Sequence, residues 1–296
     1  MTLVGTASGL ARALPSSQTK VRLGRAFGLA TTRLGAHALV DMTTDNGRFL
    51  LDARSRTEAG KLWNGFYDED DLAFLRAITP TSGTFLDIGA NVGLILIPLA
   101  HHLTEGRIIG VEPVPVNVAR LREAVSLNTA IGVTEIHGVA LGRERGSLFL
   151  AKEGHASSSG NAIPTDATDP HATVVELTTL DDLAATLSLD RIDTIKIDVE
   201  GFEVDVFAGA HQTLARLRPT VYGEFNNQLM PRQGTTFLDA WAIFQPLDYE
   251  CFSFIDRMSL LHQASPSPTL GNVVLMPQER VAALATQGVR VTRQDR

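Results

Sequence analysis

From residue 42 onward the apolar positions alternate between two periods. Short dense runs read as buried strands: RFLLD (48–52) after the Asn46-Gly47 turn signal, TFLDI (84–88), RIIGVE (107–112), 133–139, IDTIKID (192–198) and 220–225. Between them apolar residues recur every three or four positions, as Leu72, Leu75 and Ile78 do in 70–78 and Val118, Leu121 and Val125 in 114–127. The same helical spacing holds for 92–103, 180–187, 203–217 and 235–244, with Pro80 and Pro219 each closing a helix. Segments 249–255 and 272–276 predict two last strands that pair. Residues 147–151 and 173–178 predict short strands that flank a stretch rich in Ser, Gly, Asp and Thr (153–172). At about 20 residues it is longer than an ordinary connector, which marks it as functional or mobile.

Strands alternating with helices predict an α/β fold built on a mostly parallel sheet with right-handed crossovers. Ligands of such sheets bind beyond the carboxyl ends of the strands, so the residues just after each strand carry the chemistry. The expected organisation is a basic N-terminal arm or helix (1–40), a lead-in (41–80), the main α/β domain (81–278, with its variable loop at 153–172) and a C-terminal helix or tail (279–296).

Composition narrows the classes. A 296-residue chain that is 44% hydrophobic with a net charge of -7 is globular rather than disordered, and its acidity disfavours a nucleic-acid partner. The single cysteine, Cys251, excludes an intramolecular disulfide and a cysteine-based zinc site, and fits a cytoplasmic setting. No apolar run approaches the roughly 20 residues of a membrane span. The charge is uneven. Residues 1–40 hold Arg12, Lys20, Arg22, Arg25 and Arg33 and no acid; all 33 acidic side chains lie beyond them. That pattern fits a transit segment, an amphipathic helix against a membrane surface, or, most plainly, a small basic capping helix or arm.

Three places carry candidate chemistry. In DIGANVG (87–93) two glycines sit where a strand turns into a helix, and Gly89 and Gly93 permit a close backbone approach. The spacing is neither the nicotinamide fingerprint nor a phosphate loop. Asp87 at the strand end would repel a pyrophosphate and accept from an ammonium, so the expected ligand is a zwitterion. Glu112 ends the next strand, nineteen residues after Gly93, where an acid binds ribose hydroxyls. Together these predict an adenosine-type ligand on a Rossmann-like sheet. The third place is IKIDVEGFE (195–203), where Asp198, Glu200 and Glu203 crowd a strand end. Crowded carboxylates repel, which raises a pKa or holds a cation; a helix start that favours acids accounts for Glu203 and not for Asp198. Glu224, Asn226 and Asn227 follow the next strand beside it. Asp198, Glu224 and Asn226 could ligate a hard divalent metal or equally hold sugar hydroxyls, and both readings stand.

The stretches FLDIGANVG (85–93), VEPVPVN (111–117), LNT (127–129), TLDDL (179–183), IDTIKIDVEGFEVDVFAGA (192–210) and YGEF (222–225) resemble the FkbM family of S-adenosylmethionine-dependent methyltransferases. NGFYDED (64–70) and GNVVLMP (271–277) stand in the right order around them, so the resemblance runs from about residue 43 to 278. It implies a Rossmann-like class I methyltransferase fold, with a seven-stranded sheet of six parallel strands and one antiparallel. It further implies that Asp87, Gly89, Asn91, Gly93, Glu112 and Asp198 surround S-adenosyl-L-methionine, while Asn117 braces the next helix. The activity it implies is O-methylation of a hydroxyl on a sugar, glycolipid, polysaccharide or other secondary metabolite. An in-line hydroxyl needs a base, for which Asp198, Glu200 and Glu224 are the candidates in that order. Tyr222, Phe225, Trp241 and Phe252 suit the core better than sugar stacking, and His137 reads as a satisfied core or edge histidine. His155 in the variable loop is a further possible base. The rival readings are a nicotinamide-dependent enzyme and a non-catalytic binding module on the same fold. The acceptor, a small molecule or a glycan, and the oligomeric state are not legible.

Overall fold

The computed structural model describes residues 3–33, 39–65, 67–129, 131–152, 162–267 and 271–293. It opens with two helices, α1 (Leu3–Arg12) and α2 (Gln18–Arg33), followed by a hairpin of β1 (Leu39–Thr44) and β2 (Gly47–Asp52). α3 (Arg56–Asn64) starts where the Ser55 hydroxyl accepts from the Glu58 N–H, and it ends on Gly65 in the left-handed region. α1 and α2 pack against α3, with Gly24 beneath the Trp63 ring and Gly28 against Ala53. α4 (Glu69–Ile78) carries Glu69, Asp70 and Asp71 in its first turn, where the helix dipole favours acids, and stops at Thr79 ahead of Pro80.

The α/β body follows as β3 (Thr84–Ile88), α5 (Leu96–His102), β4 (Arg107–Val111), α6 (Pro115–Ser126) and β5 (Val133–His137). A small second sheet comes next: β6 (Ala140–Leu141), β7 (Gly146–Lys152), β8 (Ala162–Thr165) and β9 (Thr173–Thr178), in the order β6-β9-β7-β8. The main body resumes with α7 (Leu180–Thr186), β10 (Thr194–Ile197), α8 (Glu203–Ala208), α9 (His211–Leu217), β11 (Thr220–Glu224) and α10 (Phe237–Phe244). It closes with β12 (Tyr249–Asp256), β13 (Ser259–His262), β14 (Asn272–Pro277), α11 (Gln278–Val281) and β15 (Arg290–Arg293).

The main sheet runs β15-β13-β12-β14-β11-β10-β3-β4-β5. From β5 to β11 all neighbours are parallel, and β14 lies antiparallel to both β11 and β12. The sheet therefore has nine strands among the described residues, where the resemblance implied seven. The two extra strands arise because β12 doubles back through Arg257 and Met258 into β13, and β15 then pairs with β13. Strand residues alternate between two cores. Phe85 and Ile108 pack with Leu72, Ile97 and Leu121 on one face; Leu86 and Ile109 pack with Leu183, Phe207, Leu214 and Phe244 on the other. Helices thus cover both faces, which is what dense apolar strands require.

Two expected helices differ. The one expected over 92–103 starts only at Leu96, because Asn91 and Gly93 take left-handed φ values of +50° and +87° and hold the first turn irregular. The one expected over 203–217 breaks into α8 and α9 at Gly209, which lies against the backbone carbonyl of Gly142 with no room for a Cβ. The loop expected over 153–172 is partly ordered, since β8 pairs antiparallel with β7. His155 and Ser157 to Ser159 lie outside the described residues.

Candidate active site

β3 and β10 are neighbours, yet the chain leaves β3 towards β4 on one side and β10 towards β11 on the other. This reversal opens a crevice at the carboxyl ends of the two strands. The chain leaves β3 through Gly89 (φ +80°), whose N–H donates to the Val111 carbonyl at 2.9 Å, as does that of Ala90 at 3.0 Å. A Cβ on Gly89 would strike the backbone carbonyl of Asp198, so only glycine lets the two strand ends approach. The Asn91 N–H then donates to Glu112 Oε2 at 2.9 Å. Glu112 Oε1 accepts from the Val114 N–H at 3.0 Å and from Asn117 Nδ2 at 3.2 Å. One buried carboxylate thus locks the β3 turn to the start of α6. Burial holds its carboxyl above the ordinary range, although all three donors pull it down. Asn117 does brace this corner, and its Oδ1 is buried without a partner among the described residues.

These residues wall a cleft of about 670 Å³. Gly89, Asn91, Glu112 and Asn117 form one side; Val139 and Leu141 form the floor beyond β5; Asp198, Val199, Glu200 and Phe202 follow β10. Leu148, Leu150 and Pro164 of the small sheet close it. The described lining contains the carboxylates of Glu112, Asp198 and Glu200 and no lysine, arginine or histidine. Two of the expected cofactor residues sit elsewhere. Asp87 is only 1% exposed and lies off the cleft wall, with the Lys196 ammonium 3.5 Å from its Oδ1. Burial pushes its carboxyl up against the pull of that lysine. Asp87 thus lies beneath the turn with a protein ammonium, that of Lys196, as its neighbour. Gly93 also lies off the wall, pressed against Leu121 and Ile97, where it lets α5 and α6 pack.

Asp198 faces a second cavity as well, of about 400 Å³, lined by Tyr67, Asp68, Asp71, Lys196, Tyr222, Glu224 and Asn272 among others. Lys196 Nζ donates to the Gly89 carbonyl at 3.3 Å and lies 3.8 Å from Asp198 Oδ2, so one ammonium steadies the turn and both aspartates. The Tyr222 hydroxyl donates to Asp71 Oδ1 at 2.8 Å and accepts from Asn272 Nδ2 at 3.2 Å. Desolvation raises Asp71 to about 6 and holds Asp68 and Glu224 above the ordinary carboxylate range, with neighbouring acids adding to it.

Of the expected bases, Asp198 stands where the two cavities meet, and Glu224 lies in the second one. Glu200 (φ +55°) lines the first and accepts from Asn226 Nδ2 at 3.4 Å. Glu203 is buried at the start of α8, where its Oε1 accepts from the Gly201 N–H at 3.2 Å; desolvation raises it to about 7. Its place is structural, as the helix-start reading has it. Among the described residues no group of three His, Cys, Asp or Glu side chains is arranged to hold a metal ion. The Asn226 Oδ1 accepts from the N–H groups of Gln228 and Leu229, at 3.0 and 3.1 Å.

The sequence reading missed Tyr67, Asp68 and Asp71 and left Lys196 without a role. A signal existed for Asp71. It stands four residues before Leu75, on the stripe of α4 that packs inward, where an acid needs a reason.

The FkbM methyltransferase domain matches residues 87–251 of this chain. The chain belongs to the FkbM methyltransferase family. It is 26% identical over 148 residues to Methyltransferase 1 of Beauveria bassiana, which covers 44% of this chain and 59% of that protein. It is 24% identical over 161 residues to Methyltransferase sdnD of Sordaria araneosa, covering 45% and 62%. The chain thus spans less than two thirds of the length of these curated relatives. Among solved structures, methyltransferase FkbM from Methylobacillus flagellatus KT aligns over 86% of this chain and 60% of its own, with a TM-score of 0.41 and 15% identity. M. jannaschii TYW2 in complex with AdoMet aligns over 81% and 84%, with a TM-score of 0.41 and 12% identity. The segment matched to the FkbM family contains Gly89, Asn91, Glu112, Asp198, Glu200 and Glu224. It excludes Tyr67, Asp68, Asp71 and Asn272 of the second cavity.

Proposed function

We propose that this chain is an S-adenosylmethionine-dependent O-methyltransferase, acting on a hydroxyl of a sugar, glycolipid, polysaccharide or other secondary metabolite, with transfer at Asp198. The observation that carries the reading is the cleft's charge. Its described lining presents three carboxylates and no lysine, arginine or histidine, with Lys196 tucked beneath the glycine turn, and it joins a second, acid-lined cavity at Asp198. A dinucleotide pyrophosphate would meet like charge along that lining, which weighs against the nicotinamide reading. A sulfonium with an amino-acid tail meets charge of the opposite sign.

The residues present fit that cofactor. The Cβ-free approach at Gly89 leaves a backbone cradle, the unpartnered Asn117 Oδ1 offers an acceptor, and Val139, Leu141, Leu148 and Phe202 supply an apolar slot for a base. With three N–H donors already on its two oxygens, Glu112 keeps room for about one ribose hydroxyl, since a carboxylate has about four acceptor sites. When bound, S-adenosylmethionine supplies a methyl group that needs no further activation. The protein then has to align an acceptor hydroxyl and take its proton. Asp198 is placed for both, at the junction of the cavities, with Lys196 fixing its orientation. Asp71, raised to about 6, and Glu224, held above its ordinary range by burial, stand in the adjoining cavity to receive or pass on the proton.

The test is calorimetric titration with S-adenosylhomocysteine and with NAD, followed by transfer of labelled methyl from S-adenosylmethionine to a panel of monosaccharides and lipid-linked sugars. Binding of the homocysteine compound alone is expected. Asp198→Asn should bind it as wild type does and lose turnover by roughly 100-fold or more. NAD binding alone, or full turnover by Asp198→Asn, would overturn the reading.

A further inference from the structure

Among the described residues, nothing covers the outer face of the N-terminal helical pair. The inner faces of α1 and α2 are buried through Val4, Ser8, Gly24, Gly28 and Thr31. The outer side leaves Leu10 73%, Leu14 62%, Leu23 67% and Phe27 37% exposed. These are four of the ten large apolar side chains exposed among the described residues, gathered in about one tenth of the chain. Leu23 and Phe27 lie one turn apart on α2, with the exposed Ala26 and Ala30 on the same side.

Charge distinguishes this face from an ordinary greasy patch. No acid occurs before Asp41. Three of the five cations are engaged within the protein. Arg12 donates to the Leu62 carbonyl at 2.9 Å, Lys20 to the Ala11 and Leu14 carbonyls at 3.1 and 2.9 Å, and Arg25 to the Arg54 carbonyl at 3.0 Å. Arg22 and Arg33 are exposed and have no hydrogen bond or ion pair among the described residues. They flank the apolar stripe of α2 near its two ends.

We propose that this face docks on an anionic lipid surface. Leu10, Leu14, Leu23 and Phe27 enter the headgroup boundary, while Arg22 and Arg33 meet lipid phosphates. A second copy fits less well, because a two-fold contact would set each arginine pair against its own copy. The acidic body beyond residue 40 is repelled by the same lipid charge, which orients the molecule with its N-terminal helices towards the surface. The inference stands apart from the chemistry at Asp198.

Co-sedimentation of the full chain with vesicles tests it. Binding is expected to vesicles of phosphatidylcholine and phosphatidylglycerol in equal parts, much weaker binding to phosphatidylcholine alone, and release at high salt. Leu23→Glu should lower partitioning about tenfold or more, through lost apolar burial and an added like charge. The pair Arg22→Glu and Arg33→Glu should lower it by a similar factor, about one power of ten. Both sites point into solvent, and unchanged thermal unfolding with unchanged S-adenosylhomocysteine binding would show the fold intact. No binding to the anionic vesicles, equal binding to both kinds, or indifference to these substitutions overturns the proposal. So does a lipid-free dimer that Leu23→Glu dissolves, since the face then belongs to a second copy.

Discussion

The two cavities that meet at Asp198 are built on opposite plans. The larger one comes from backbone turns and short segments just after strands, namely 88–91, 111–117, 139–141 and 198–202. Its Glu112 is tied down by three N–H donors. The smaller one comes from side chains at 67–75, 95, 196–198, 222–224 and 272, and burial holds Asp68, Asp71 and Glu224 above their ordinary range. The first lies largely inside the stretch matched to the FkbM family; the second draws much of its wall from outside it. A site made of backbone is set by where strands end. A site made of side chains from distant segments exists only once the sheet has folded, and under the proposed function it stands beside the transfer point at Asp198.

The sharpest way to break the first cavity is Gly89→Ala. The new Cβ would meet the Asp198 carbonyl at a residue already at φ +80°, and the cost should be about 4 kcal/mol. Urea unfolding should show the loss, and S-adenosylhomocysteine binding should vanish. A stable variant with normal binding would mean that the close approach is dispensable.

Lys196→Met attacks the partition between the cavities. It leaves the fully buried Asp87 with no cation, which should cost about 3 kcal/mol. Adding Asp87→Asn should restore more than half of it, because the penalty is an uncompensated charge and not a lost packing volume. If the double variant is no more stable than the single one in urea, the ion pair is not what holds the partition.

How legible each cavity is in the sequence follows from the same difference. DIGANVG and Glu112 announce themselves because the strand-turn-helix rhythm places them and their spacing is local. The strands of the main sheet could be expected for the same reason, apart from β13 and β15, where a short return strand and a tail segment show no strong alternation of their own. Asp87 was legible as a strand-end acid, but not as a group hidden beneath the turn; that needed the neighbouring β10 to bring in Lys196. Asp68 and Asn272 carried no sign of a shared cavity, and Asp71 only its place on the inward stripe of α4, since about 200 residues of chain separate the first two and only the folded sheet brings all three together.

Glu112→Gln is a milder probe of the first cavity. An amide nitrogen cannot accept, so at least one of three donors loses its partner while the packing volume is kept. Affinity for S-adenosylhomocysteine should fall about tenfold, roughly 1.4 kcal/mol, with little change in unfolding temperature. Unaltered affinity would remove Glu112 from the cofactor cradle.

The smallest effect concerns the second cavity and depends on pH. Burial raises Asp71 from 3.8 to about 6, although the Tyr222 hydroxyl favours the charged form. The folded protein therefore binds this proton more tightly than the unfolded chain does. The stabilisation is complete below about pH 4 and is lost as pH rises through about 6. The side chain is partly exposed, so the loss should be about 1 kcal/mol after allowance for solvent screening. Asp71→Asn cannot ionise, yet its amide oxygen can still accept from Tyr222. Relative to wild type, it should gain about 1 kcal/mol in urea unfolding between about pH 4 and about pH 8. The same change at Asp41, an exposed acid paired with Arg48, should show the opposite sign and in a different window, below about pH 4, since that pairing lowers its pKa. Matching slopes for the two variants would erase the contrast between an acid that lines a cavity and one that lies on the surface. The second cavity would then be only a gap in the packing.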